Sequence, residues 1–212
     1  MKILFEDKSI IVCVKPVGVL SQEGGDKSMV SLIQEHLKTD APVYVVHRLD
    51  RLTGGVMVYA KSNKAASDLS TQFANKTVEK EYLAVVKGEP EDADRLEDIL
   101  FFDRSKNKSF VVKKERKGAK TAILTYEKLE QKEEFALIKI RLQTGRTHQI
   151  RVQFGSRKMP LLGDGKYGGT DNRCTLALWC HSLCFNHPIT KERLCFTENP
   201  EKIFPYNIFS IK

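Results

Sequence analysis

The sequence predicts an α+β domain built on a largely antiparallel sheet. Three observations carry that prediction. Strand-like segments outnumber helical ones, most of the connections between them are short, and two neighbouring segments, TAILTYEKLE and FALIKIRLQ, alternate in the manner of paired antiparallel strands. No linker, repeat or low-complexity stretch interrupts the chain, so a single domain spanning residues 1–212 is expected.

The elements follow in order. ILFEDKSIIVCVKP reads as a strand pair or one bent strand, ended by Pro16 and a turn at Gly18. Ser28 caps a helix through SMVSLIQEHLK, with Val30, Ile33 and Leu37 on one face. Residues 43–46 form a short strand into VVHRLDRLTGG, and residues 56–60 form another leaving it. From Asn63 to about Asn75, Ala66, Leu69 and Phe73 recur at helical spacing. EKEYLAVVKG is a strand closed by Gly88, and residues 91–118, acidic and then basic, read as irregular or as a hairpin. After the paired strands, TGRTHQIR opens a helix running to about Gly155, followed by the glycine-rich LLGDGKYGG. LALWCHSLCF and ERLCFTE are the last strands.

Composition narrows the function classes. Hydrophobic content of 41% with 29% charged residues describes a folded globular chain. No apolar run approaches the roughly 18 residues of a spanning helix, and Glu6 and Asp7 interrupt any signal-peptide core. A net charge of +8 favours a polyanionic partner, most often nucleic acid. The five cysteines are odd in number and lack a secretory context, so free thiols in a reducing cytoplasm are expected. Cys180-His181-x2-Cys184, with His187 nearby, has no paired CxxC. On a strand His181 points away from both cysteines, so buried thiols rather than a metal site are expected.

Two motifs concentrate chemistry. In VVHRLDRLTGG, one carboxylate, Asp50, sits between Arg48 and Arg51 where a buried strand ends, beside His47. It is either a structural ion pair or a reactive group. TGRTHQIR repeats the pattern: a strand ends at a Thr-Gly turn, and Arg146, His148, Gln149 and Arg151 follow at once. If a helix opens there, Arg146 lies near its N-terminus, where free N–H groups receive anions. Either motif alone is satisfied by a capped turn with surface arginines; two such strand ends together favour a shared cleft. Tyr82, in KEYLAVV, reads by itself as core packing.

HRLDRLTGG, EKEYLAVVKGEP, GAKTAILTY, LQTGRTHQIRVQ, LLGDGKYGG and CHSLCFNHPIT together resemble the RluA-type pseudouridine synthases, from CVKPVGVLS near the start to FTENP near the end. The order HRLD, KxY, GRTHQIR is the specific part. The resemblance implies a mixed, mostly antiparallel sheet with a central active-site cleft, no cofactor and no metal. It implies that Asp50 is the essential catalytic residue, that Arg48 enters the RNA helix, that Tyr82 stacks on the target base and that Arg146 pairs with the catalytic carboxylate. Ile150 falls where an aliphatic residue lines the base pocket, and His47, Gln149 and Arg151 are expected among the substrate contacts.

The chemistry fits such a site. Converting uridine to pseudouridine breaks N1–C1′, rotates the uracil and joins C5 to C1′, with no net redox change. It needs one well-placed carboxylate, acting as a nucleophile at C1′ or C6 or as a base on the ribose. A nearby arginine favours its charged form. The target base must first be flipped out. The expected partner is RNA, either tRNA or rRNA, bound by a cytoplasmic monomer with no obligatory protein partner.

Two departures from the family pattern carry their own expectations. Gly54-Gly55 follows Thr53 where many members have Ser-Gly, which should loosen the loop behind Asp50. Gln153 stands where His is frequent, which should touch substrate contacts. Because HRLD begins at residue 47, the chain resembles short members lacking a separate N-terminal RNA-binding module. Recognition then falls to the catalytic domain, with the lysine-rich 104–120 stretch as a source of phosphate contacts or simply a solvated hairpin. The alternative is a catalytically silent RNA-binding or RNA-chaperone protein on the same fold, against which the intact Asp50, Tyr82 and Arg146 argue.

Overall fold

Alternation and capping decide most elements of the computed structural model, which describes residues 1–24, 27–114 and 116–211. The chain divides into two compact units. All but one of the strand pairings within the units are antiparallel, as the sequence predicts.

Unit 1 comprises residues 1–80 and 179–200. It holds β1 (Lys2–Glu6), β2 (Ile10–Lys15), α1 (Met29–Leu37), β3 (Tyr44–Val45), β4 (Gly54–Ala60), α2 (Asn63–Ala74), and most of β10 (Leu178–Asn186) and all of β11 (Arg193–Thr197). Ser28 caps α1 as expected, its side chain accepting the Ser31 N–H, and Ser62 caps α2 in the same way through Ala65. Strand β4 is buried along its whole length, so its sequence GGVMVYA shows an apolar run rather than alternation. Its Val56, Val58 and Ala60 join Ile10 and Val12 of β2 and pack on Ala65 and Leu69 of α2. β2 runs antiparallel to β4, while β10 meets β4 in parallel at Trp179–Gly54 and Cys180–Gly55.

The same unit corrects the expectation of five free thiols. β10 and β11 are antiparallel in a register that sets Cys184 directly opposite Cys195, and a disulfide joins them. Cys13, Cys174 and Cys180 remain thiols, with burial pushing Cys13 up to about 12 and leaving it inert. The histidines of the suspected metal motif are engaged elsewhere, His187 with Asp7 and His181 with the Glu198 carbonyl.

Unit 2, residues 81–178 and 201–212, is an antiparallel sheet with α3 packed against it. Its strands β5 (Glu79–Lys87, entering from unit 1), β9 (Phe135–Leu142), β8 (Ala119–Lys132), β6 (Ala93–Asp103) and β7 (Lys108–Val112) lie in that order, all antiparallel. Residues 91–118 are therefore more regular than their charge suggests. In β6 the inward positions are Leu96, Asp98 and Leu100, and the carboxylate breaks the apolar signal. Asp98 is tolerated there because Arg157 and Gln153 both donate to it. α3 (Gln149–Ser156) is buried along most of its length, with Val152 against Leu100 and Ala122.

Candidate active site

Asp50 lies on a loop held almost residue by residue by the segment after β2. The Ser21 hydroxyl donates to the Leu49 carbonyl at 2.8 Å and accepts the Leu49 N–H at 3.1 Å. Gln22 Oε1 accepts from Arg48 at 3.0 Å. The Gly18 N–H donates to the Arg51 carbonyl at 2.8 Å, and the Arg51 Nε donates back to the Gly18 carbonyl at 3.0 Å. Arg51 thus staples two turns together. A tight turn, closed by Thr53 N–H to the Asp50 carbonyl at 3.0 Å, leads straight into β4. This clasp pins the backbone on both sides of the carboxylate while leaving Arg48 exposed.

Beneath the clasp is a residue that the sequence reading did not single out. Lys15, the last residue of β2 and the register partner of Gly55, has no solvent exposure at all. Its Nζ donates to the carbonyls of Pro16 at 2.9 Å, Val19 at 2.7 Å and Arg51 at 3.1 Å. Burial pulls its titration down from 10.5 to about 8, and the negative charge of Asp50 opposes that fall. One ammonium therefore ties the two loops together and places positive charge beside Asp50. The only signal in the sequence was a lysine closing the apolar run IIVCVK immediately before a proline.

His47 supports the loop from the other side. Its Nε2 accepts the Val58 N–H at 3.1 Å, which fixes the neutral tautomer, and its ring stacks on Phe73 at 4.6 Å. Burial, reinforced by the positive charge of Lys80, pushes it down to about 3. Gly54 does not loosen the loop as expected. A Cβ there would lie 2.4 Å from Trp179 Cζ3, so the bare backbone is the seat for an indole whose Nε1 donates to the Glu198 carbonyl at 2.8 Å. Gly55, at φ +119°, passes so close to the Cys180 carbonyl that a Cβ would meet it at 2.2 Å. Gly54→Ser must displace the indole, an overpacking that typically costs about 1–3 kcal/mol. The expected result is a lower unfolding midpoint in urea for Gly54→Ser, and a smaller loss when the same change is made in a Trp179→Ala background; equal midpoints for Gly54→Ser and wild type would refute the coupling.

Unit 2 carries the second motif. Arg146 sits in the turn between β9 and α3, its Nε donating to the Thr121 carbonyl at 3.0 Å and its backbone N–H to Gln149 Oε1 at 3.0 Å. Gln149 is buried and also bonds Thr144 Oγ1 and the Ile123 carbonyl, so it fixes the turn that presents Arg146. Arg151 is buried in a two-pronged pair with Asp164, both N–O distances 2.7 Å, and holds the LLGDGKYGG loop on α3. Gln153 is likewise fully buried and donates to Asp98, which replaces the expected substrate contact with a core bond. His47, Gln149 and Arg151 thus turn inward as supports. Ile150 and Tyr82 are nearly buried, Tyr82 opposite Ile140 in the β5–β9 ladder.

Comparison with known proteins gives these features a family. A family model described as RNA pseudouridylate synthase matches residues 9–156, which include HRLD, KxY and GRTHQIR. The chain belongs to this family. Pseudouridine synthases are isomerases, and the RluA-type resemblance seen in the motifs agrees with the match. The ribosomal large subunit pseudouridine synthase D of Borreliella burgdorferi is 34% identical over 85% of this chain, which spans 60% of that relative's length. The tRNA pseudouridine synthase C of Haemophilus influenzae is 31% identical over 93% of this chain and 92% of its own. The solved structure of human RNA pseudouridylate synthase domain containing 4 shares the fold, with a TM-score of 0.78 at 24% identity over 94% of this chain and 89% of that one. Among the described residues of this pseudouridine synthase family member, no helix is long and apolar enough to cross a membrane.

Proposed function

We propose that the protein isomerises specific uridines of tRNA or ribosomal RNA to pseudouridine, in the cytoplasm, with Asp50 as the catalytic carboxylate. The observation that carries this reading is the clasp: a carboxylate on a loop pinned by Ser21, Gln22 and Gly18, above a buried ammonium that touches three backbone carbonyls. Such fixation is what a group needs if it is to meet one ribose or uracil atom in a single orientation. Tyr82 is assigned to the face of the target base, and Arg48, exposed at the loop's rim, to the RNA helix from which that base is withdrawn. Arg146 supplies positive charge where anionic character develops. During the reaction N1 leaves C1′, C5 joins it, the proton on C5 is lost, and N1 gains one. Atoms and electrons therefore balance without a co-reactant.

The test is to incubate the purified chain with transcribed tRNA and ribosomal RNA and map pseudouridine at nucleotide resolution. New pseudouridine at defined sites supports the reading, and binding without isomerisation would favour the silent RNA-binding alternative. Arg146→Met is expected to cut turnover by about 100-fold or more. Its thermal midpoint should move little, because the side chain gives up only an exposed bond to Thr121. A variant that loses its fold along with its activity would return Arg146 to a structural role.

A further inference from the structure

The face of the β6–β7–β8 hairpin sheet turned away from α3 carries aromatic rings and cations that the proposed reaction does not use. Leu100 and Ala122 point to α3. By alternation, Ile99 and Phe101 of β6, Phe110 of β7, and Ala119 and Thr121 of β8 point the other way. Register sets Phe101 directly opposite Phe110 on one side and Ala119 on the other, and both rings are only partly buried. The Arg116 guanidinium lies over Phe101 at 3.6 Å from the ring centroid, and Lys106 and Lys108 stand 5.8 Å from the centroid of Phe110.

A pocket of about 390 Å³ opens beside them, lined by Ile99, Arg116, Lys117, Ala119 and Thr121. Among the described residues, the ion pairs include none of Lys106, Lys108, Arg116 or Lys117. Glu115, within the same stretch, lies outside the described residues. Thr121, at the edge of the pocket, gives its carbonyl to Arg146.

We propose that this face is a platform for one unpaired nucleotide of the substrate RNA, its base stacked on the Arg116–Phe101 pair and its phosphate held by Lys117. The inference rests on the RNA-modifying reading above. A simple solvated charge run need not set a guanidinium over a ring beside a hollow of this size. A guanidinium already stacked on phenylalanine presents a second, planar, positively charged face, which suits a base.

Fluorescence anisotropy with a labelled single-stranded RNA of about eight nucleotides tests this. Arg116→Ala should weaken binding about tenfold. Arg116→Lys, which keeps the charge and loses the plane, should weaken it nearly as much. Lys117→Ala should reduce the slope of log affinity against log salt by about 0.7. Affinity for Arg116→Lys equal to that of wild type, or an unaltered salt slope in Lys117→Ala, would overturn the platform. The wild-type mapping assay separates the two failures. Pseudouridine formation with unaffected Arg116 variants sinks only the platform, whereas weakened variants of a protein that forms no pseudouridine sink only the enzymatic reading.

Discussion

Asp50→Asn is expected to lower pseudouridine formation by at least about 1,000-fold while leaving RNA affinity within a few-fold of wild type. The substitution keeps size and shape but turns one accepting oxygen into a donor and removes the charge that any of the three routes requires. The loop should survive it, because its backbone is held by Ser21 and Gly18 and its turn by Thr53, none of which uses the carboxylate. There is a second consequence inside the fold. The Asp50 charge helps Lys15 keep its proton, so without it the lysine should titrate below about 8. An Nζ-resolved NMR titration of lysine-labelled protein reads that fall directly. Appreciable turnover by Asp50→Asn would remove the catalytic assignment, and an unmoved Lys15 titration would show that the two groups are not coupled.

How far the sequence foretold this molecule depends on whether each signal was local. Alternation in residues 119–142 gave β8 and β9, and Ser28 and Ser62 precede α1 and α2 as their caps. The two charged motifs at strand ends were also visible, because unusual residues stood together in the chain. What escaped were features created by distant approach. Asp98 sits on the inward face of β6 only because Arg157 and Gln153 reach it from α3 and its end, so β6 was hidden in an acidic stretch. Cys184 and Cys195 are an ordinary pair of residues until register sets them face to face. Gly54 looked like added freedom because Trp179, which fills the space of its missing side chain, lies far along the chain.

The same distinction separates reactive groups from their supports. HRLD and GRTHQIR drew attention as blocks, yet within them the structure sorts side chains by what they already hold. His47 accepts a backbone N–H, Gln149 pins a turn, and Arg151 is locked to Asp164. Arg48 reaches no further than Gln22 and stays exposed. A motif of this kind is largely scaffold. The carboxylate proposed to react is kept in place by neighbours whose polarity is spent inward, and by a clasp from a segment that carries no conspicuous chemistry of its own.

Lys15→Met should therefore also be damaging, though less than Asp50→Asn, through positioning rather than contact with substrate. Methionine fills the volume, but the carbonyls of Pro16 and Val19 lose their donor and Asp50 loses the neighbouring positive charge. A fall of about 100-fold in kcat is expected, with KM for RNA moving much less, since the exposed cations that meet phosphate are untouched. The pH dependence identifies the cause. In the folded protein Lys15 is charged below about pH 8 and neutral above it. Wild-type kcat should therefore fall through a limb near pH 8, and that limb should be missing from Lys15→Met. Stability runs the other way. The folded-state value lies below the ordinary 10.5, so between about 8 and 10.5 the unfolded chain binds more protons than the folded one, and this group's contribution to stability rises with pH. Activity lost above pH 8 in a protein that is not unfolding is the signature of the buried ammonium. A limb that persists in Lys15→Met, or a wild-type loss that tracks unfolding, would show that Lys15 only holds the two loops together.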